Sequence, residues 1–379
     1  MVNNKFYEAI NGLYQQATGG DTLVVADYDS FIDAGKKITD IAAVDLQNGF
    51  ITALMNRIAT VVNTARSYSG AYTELIKGSL EYGNTVELIV NSFYETQAAG
   101  FIGLTDGESV DQYVINKPKV DAKFYVDTNA YTIPITIAYP ELKKAFTSPA
   151  EMDAFISNAT LYVLNSDELM RENGRIAMVA KIITDDLKKN AAATIDTPAQ
   201  VYNLVSLFNE ITGASLTSAN CLYSEDFVKF AVKTINMVCR KTERVSQSFN
   251  ADGIKTFTPA GERRLFCSSS LVSSIGTYVH PSAFNMTPDI QLESYITVPF
   301  WQNEDHPYTV TYKDSNATKT TVPVVAVMLD SYAAGEWIKK RDMRTTPFNA
   351  RGEYWNNFLN VEVQYLTLSA ANSVIFTLA

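Results

Sequence analysis

His280 and His306 are the only imidazoles in the chain, and each is followed by proline. A hydrolytic triad needs a histidine beside a serine or cysteine, with an acid to orient it. No Gly-x-Ser-x-Gly elbow is present to seat such a nucleophile, so both histidines read as loop residues. The nearest approach to a phosphate loop is Gly78-Ser79-Leu80-Glu81-Tyr82-Gly83-Asn84-Thr85, which offers Asn84 where a lysine must reach the phosphates. It also precedes a strand pattern, and a sharp turn opening a hairpin accounts for both glycines. The pair Asp185-Asp186 sits near a helix end among lysines, where surface solvation explains it better than acid–base work. Cys221, Cys239 and Cys267 are an odd count without Cys-x-x-Cys spacing, which speaks against a disulfide framework and a zinc site. They read as buried thiols in a reducing compartment. No catalytic set, cofactor or metal is expected, and a soluble α+β enzyme is the remotest reading.

The chemistry that remains is that of meeting other protein. Asn349-Ala350-Arg351-Gly352-Glu353-Tyr354-Trp355-Asn356 crowds aromatic and amide residues around an Arg-Gly turn, ahead of an alternating strand, Val361 to Thr367. Arg351, Tyr354 and Trp355 are therefore candidate interface residues, with the core as the competing place for the two aromatics. The planar fork of Arg351 is expected to bridge backbone carbonyls or a carboxylate and so fix the turn at Gly352. A second candidate surface is a long hairpin. Val86, Leu88 and Val90 alternate with polar residues, and Phe124 and Val126 do so on a returning strand. An isolated two-stranded ribbon is marginal in water, so its apolar face must find a partner.

Composition sets the bounds. At 379 residues the chain suits two or three modules, with 46% hydrophobic and only 19% charged residues. A net charge of -10 argues against a dedicated nucleic-acid binder. A basic run at Lys339, Lys340, Arg341, Arg344 and Arg351 reads as solvated or interface-facing. The first residues lack the apolar core of a signal peptide, and no uninterrupted apolar run approaches a membrane span. A soluble protein made in the cytosol, without membrane contact, is expected.

Along the chain, residues 1–66 read as an N-terminal arm with one anchoring helix, in which Phe50, Leu54, Ile58 and Val61 share a stripe. Residues 67–147 form the hairpin excursion, with Pro134 fit only for an edge or irregular position in its strand. At 148–194, Ser148-Pro149-Ala150-Glu151 opens a spine of helices that Asn165-Ser166-Asp167-Glu168 interrupts or kinks. Thr197-Pro198-Ala199-Gln200 repeats the helix-start signal and opens an α+β module over 195–321. A buried strand, Val322 to Leu329, begins the closing segment 322–379.

The helix Gln47 to Ile58, the spine around Asn165-Ser166, the turn Ala283-Phe284-Asn285-Met286 and the motif Asn349 to Asn356 occur in this order. Together they resemble the major capsid proteins of small short-tailed bacteriophages of the Bacillus podovirus (picovirus) type. The resemblance implies an α+β chain with the Hong Kong 97 capsid fold: N-terminal arm, extended E-loop hairpin, peripheral domain with a long spine helix, axial domain, then a return to the peripheral domain. It further implies a tailed double-stranded DNA phage, whose icosahedral shell is built from pentamers and hexamers of this chain in the host bacterial cytoplasm. A portal, a separate scaffolding protein and non-specific contact with packaged DNA come with it. An extra immunoglobulin-like domain and a fused scaffold are expected to be absent. The runner-up is an encapsulin-like compartment shell with the same fold.

Overall fold

The computed structural model describes residues 2–18, 25–40, 43–60, 68–80, 86–91, 106, 109, 113, 120–125, 128–189, 197–278, 292, 294–313 and 318–379. His280, the 283–286 turn and Val126 lie outside the described residues.

The N-terminal segment is helical where an arm was expected. α1 (Val2–Thr18), α2 (Tyr28–Ile38) and α3 (Val44–Thr60) precede any strand. α2 starts at a full capping box, Asp27 with Ser30, and buries Phe31, Ala34 and Ile38 on one face. Asn11 of α1 ties the incoming chain down, accepting from the Val25 amide at 2.8 Å and donating to the Val25 carbonyl at 3.2 Å. Tyr7, Ile10 and Leu13 of α1 close onto Phe50, Ile51 and Leu54 of α3 in one apolar cluster. The short stripes of α1 and α2, which do not stand out in sequence, complete that of α3.

Four strands and then two helices follow: β1 (Ile76–Ser79), β2 (Val86–Asn91), β3 (Val120–Tyr125), β4 (Asn129–Ala138), α4 (Tyr139–Ala145) and α5 (Pro149–Lys189). β2 and β3 pair antiparallel as a two-stranded sheet, from Val86 against Tyr125 to Asn91 against Val120. The excursion is thus shorter than 67–147, because β4 leaves it to become an edge strand of a four-stranded sheet. There Pro134 costs no ladder bond to a second neighbour.

α5 runs 41 residues, about 60 Å, without a break at Asn165-Ser166-Asp167-Glu168. Polar residues weaken a helix when they compete for their own backbone. Here Asn165 and Asp167 instead reach other segments, accepting from the Tyr68 amide at 2.9 Å and the Tyr131 hydroxyl at 2.6 Å. The Ser148 cap is present, accepting from the Glu151 amide.

The remaining elements are β5 (Val201–Asn203), α6 (Leu204–Thr212), α7 (Glu225–Lys241), β6 (Arg263–Ser268), α8 (Ser269–Tyr278), β7 (Tyr295–Val298), β8 (Thr309–Lys313), β9 (Lys319–Asp330), β10 (Ala334–Thr345), β11 (Tyr354–Thr367) and β12 (Ser373–Thr377). The helix expected from Thr197 begins later, capped by Asn203. Val201 to Asn203 instead pair parallel with β12, and the Tyr202 hydroxyl pins the Thr197–Ala199 loop. Ser224 caps α7, which buries Phe227, Val228, Ala231, Ile235 and Val238.

The closing segment divides between two sheets. β10 and β11 sit at the centre of the four-stranded sheet, in the order β1-β10-β11-β4. β9 and β12 instead lie within the six-stranded sheet β5-β12-β9-β6-β7, with β8 attached to β9. Both faces of β9 are covered, by α6, α7 and α8 on one side and by the C-terminal half of α5 with Tyr72 and Trp301 on the other. Its continuous apolar run reflects that double burial.

Where α5 meets β12, Asp186 is buried and accepts from Ser373 Oγ at 2.6 Å and from Gln200 Nε2 at 3.1 Å. Burial pushes its carboxyl up to about 7, against the lowering pull of those hydrogen bonds. A carboxyl raised above its unfolded value favours folding at low pH, and that advantage is lost as pH climbs from about 4 to about 7. Asp186→Asn is therefore expected to gain on the parent chain across this window, by about 4 kcal/mol at most. Urea unfolding at pH 5 and pH 8 measures it, and an equal difference at both pH values would refute it.

Candidate functional site

At the closing hairpin the turn between β10 and β11 is held by Asn349. Its Oδ1 accepts from the amides of Arg351 and Gly352, each at 3.1 Å, while its carbonyl accepts from the Glu353 amide at 2.8 Å. Glu353 takes a left-handed φ of 51°. A Cβ on Gly352 would lie 2.3 Å from the Tyr354 ring, so close approach demands the glycine. The Arg351 fork does not fix this turn as expected: it is exposed and makes no hydrogen bond or ion pair among the described residues. An asparagine side chain reaches the two amides from inside the loop, which a long guanidinium arm cannot.

Tyr354 is half-buried, with its hydroxyl accepting from Asn349 Nδ2 at 3.1 Å. Trp355 is fully buried in its own chain, which removes it from the interface set. Its indole N–H donates to Asn48 Oδ1 at 2.8 Å, and its ring lies 4.7 Å from Phe348 and 6.5 Å from Tyr139. Over 355–363 strand alternation sends the odd-numbered β11 residues inward, and Trp355 is the first of them.

Val86, Leu88 and Val90 lie on β2 and Phe124 on β3; their side chains, like all of Val126, are outside the described part. What the structure adds is how the base of this ribbon is held. Beneath the four-stranded sheet, α5 carries Glu168, Arg171, Glu172 and Arg175 at i, i+3, i+4 and i+7 spacing, on one face. Arg175 is fully buried, donating to Glu172 at 3.1 Å, to Glu336 of β10 at 3.0 Å and to Glu168. Arg171 reaches Glu336 as well. Burial pushes the Glu336 carboxyl up, and the two guanidinium groups pull it back. Asp167 pairs with Arg341 at 3.2 Å. The helix also passes close under the sheet at Gly174, where a Cβ would lie 2.1 Å from the Tyr365 ring.

The basic run thus divides by strand alternation. Arg341 turns inward to Asp167, while Lys340 and Arg344 stay outside near Asp342. Sequence reading missed the buried cluster. Its signal was the i, i+3, i+4 charge spacing opposite Glu336, an acid enclosed in Ala333-Ala334-Gly335-Glu336-Trp337-Ile338. Among the described residues no cluster of metal-ligating side chains occurs, and no helix is long and apolar enough to cross a membrane. His306 is an exposed loop residue and the three cysteines are buried.

Known proteins share this architecture. The capsid structure of Staphylococcus phage Andhra contains a chain that superposes with a TM-score of 0.52 at 10% identity, covering 84% of this chain and 87% of that one. A chain in the structure of head fiber and inner core protein gp22 of native bacteriophage P68 gives 0.50 at 12% identity, covering 84% and 88%. These likenesses establish the fold, that of Hong Kong 97-type capsid proteins. In sequence, the chain is 24% identical over 375 residues to the major capsid protein of Bacillus phage B103, covering 98% of this chain and 72% of that protein. The values for Bacillus phage PZA are 24% over 358 residues, 93% and 68%, and for Bacillus phage GA-1 21% over 334 residues, 87% and 61%. The chain thus spans 61–72% of these relatives' lengths. A family model described as Phi29-like phage major capsid protein matches residues 18–377, nearly the whole chain, and by that match the protein belongs to the Phi29-like phage major capsid proteins.

Proposed function

We propose that copies of this chain assemble, as pentamers and hexamers, into an icosahedral shell enclosing the double-stranded DNA of a tailed phage. The observation that carries this is a ribbon, β2–β3, that forms a two-stranded sheet of its own in a chain of capsid family. Two strands alone bury little, so burial against a neighbouring copy completes the element. By strand alternation the positions of Val86, Leu88 and Val90 share one face of it and that of Phe124, paired with Glu87, lies on the other, so both faces carry apolar positions for a neighbour to cover. The exposed face of α5 offers Tyr162, Leu169 and Met170, at i, i+7 and i+8, for a neighbour's ribbon to cover. Arg351 and Tyr354, at the tip of the closing hairpin, belong to a second contact. Burying five or six such side chains gains roughly 1.5–3 kcal/mol each before ordering costs, which leaves single contacts weak enough to correct errors.

Residues 1–66, with β1, β4, α4, the N-terminal half of α5 and the β10–β11 hairpin, then constitute the peripheral part. The six-stranded sheet with α6–α8 constitutes the axial part. An acidic chain suits non-specific contact with packaged DNA, since a strongly basic lining would retain the genome. A portal, a scaffolding protein and assembly in the host cytoplasm complete this reading.

Electron microscopy of the purified chain, with and without the ribbon, tests it. Replacing residues 81–127 by a Gly/Ser linker of about ten residues, long enough to join the two edges of the sheet, keeps β1 and β4 whole. The expected result is a soluble, folded subunit that fails to close shells. Normal shells from that variant would refute the role given to the ribbon.

A further inference from the structure

The two feet of the ribbon stand at one level of the four-stranded sheet, on its opposite edges. Ser79, the last residue of β1, pairs with Ile338; Ile338 pairs with Val363; Val363 pairs with Asn129, the first residue of β4. Three strand spacings place the feet about 14 Å apart. At this row β10 carries a register irregularity between Ile338 and Lys340, and the feet engage both sides of it. The Ile338 carbonyl accepts from the Leu80 amide at 2.8 Å and from Ser79 Oγ at 3.2 Å, and Lys339 Nζ donates to Thr128 Oγ1 at 2.8 Å.

Two turns of α5 hold the segments behind both feet. On the β1 side, Glu172 Oε1 accepts from the Ala71 amide at 2.9 Å and Asn165 Oδ1 from the Tyr68 amide at 2.9 Å. The Glu172 carboxylate lies so close to Gly70 that a Cβ there would fall 1.9 Å from it. On the β4 side, Asp167 Oδ1 accepts from the Tyr131 hydroxyl at 2.6 Å while its second oxygen pairs with Arg341. Asp167 and Glu172 are both buried, and each is oriented by an arginine, Arg341 or Arg175. Hydrogen bonds to ionised acceptors in such a setting are stronger than neutral ones.

We infer that Asp167 and Glu172 are positioning residues for the ribbon: one helix grips the base of each foot, so that the direction in which the ribbon leaves the sheet is set by α5. Two grips on opposite edges resist twisting, which one grip would not. The grip stands on this geometry alone; its consequence for the shell rests on the function proposed above. In a shell, a loosened foot lets the ribbon meet its neighbour at a range of angles, and curvature becomes variable.

Tyr131→Phe and Asp167→Asn test the β4 grip, Glu172→Gln the β1 grip, and Val374→Ala, a core truncation in the other sheet, controls for general loss of stability. Hydrogen exchange on dissociated subunits is read at residues 68–80 and 128–132, and shell diameters by cryo-electron microscopy. Tyr131→Phe, which keeps the ring, is expected to raise exchange at 128–132 about tenfold or more. Its shells should close with a broader range of diameters, while Val374→Ala changes neither readout selectively. Unchanged exchange at both feet in all three grip variants, or equal increases in Val374→Ala, overturns the inference. Shells of parental diameter spread despite loosened feet would overturn its consequence for curvature. Failure of the parent chain to form shells would count against the proposed function and leave the exchange result to decide the grip.

Discussion

Replacing Trp355 by alanine is expected to destabilise the subunit by about 3–5 kcal/mol, measured by urea unfolding of dissociated chains. The indole joins three segments distant in sequence: α3 through Asn48, the turn before β11 through Phe348, and the junction of β4 and α4 through Tyr139. Truncation leaves a cavity at that junction. Asn48 Oδ1 retains the Phe348 amide at 3.0 Å, so Trp355→Phe loses less, chiefly one hydrogen bond and part of the packing. Assembly should fail only as far as folding fails. An unchanged unfolding midpoint with lost assembly would return Trp355 to an interface and contradict its burial.

Arg175→Met is expected to cost a similar amount, about 3–5 kcal/mol, although methionine fills much of the same space. Arg175 is fully buried and faces Glu168, Glu172 and Glu336, with Arg171 as the other cation pairing with Glu168 and Glu336. Its removal leaves carboxylates in a dry site with one cation among them. The Glu336 carboxyl, already pushed up by burial, then loses one of the two guanidinium groups that pull it back, so the variant regains stability as pH falls, and the gap to the parent should narrow between pH 7 and pH 5. Replacing both partners, Arg175→Met with Glu336→Leu, should recover part of the loss, because an apolar pair needs no compensation. A single variant within about 1 kcal/mol of the parent at pH 7, the range of an exposed ion pair, would show that the cluster is hydrated in solution.

Both predictions concern places that local sequence left open. The aromatics of Tyr354-Trp355 fitted core and interface equally, and only the strand direction, with the Asn48 partner 307 residues away, put the tryptophan inside. Asn165-Ser166-Asp167-Glu168 resembled a helix break, since isolated polar residues favour turns. It became mid-helix because its side chains found partners at Tyr68, Tyr131 and Arg341. The N-terminal segment looked like an arm because no single helix there buries enough apolar surface by itself.

Periodicity and end signals by themselves determined the α+β class, the cap at Ser148, the exclusion of Pro134 from a regular central strand, the buried strand that continues from Val324 to Leu329 and the paired ribbon strands. These depend on neighbours within a few residues, where the geometry of the backbone is repetitive. Tertiary structure alone decided that one uninterrupted helix lies beneath both feet of the ribbon, that the closing segment serves two sheets, and that Asn349 holds the final turn instead of Arg351. Each of those outcomes turns on groups brought together from distant parts of the chain, whose mutual attraction outweighs what each segment prefers alone.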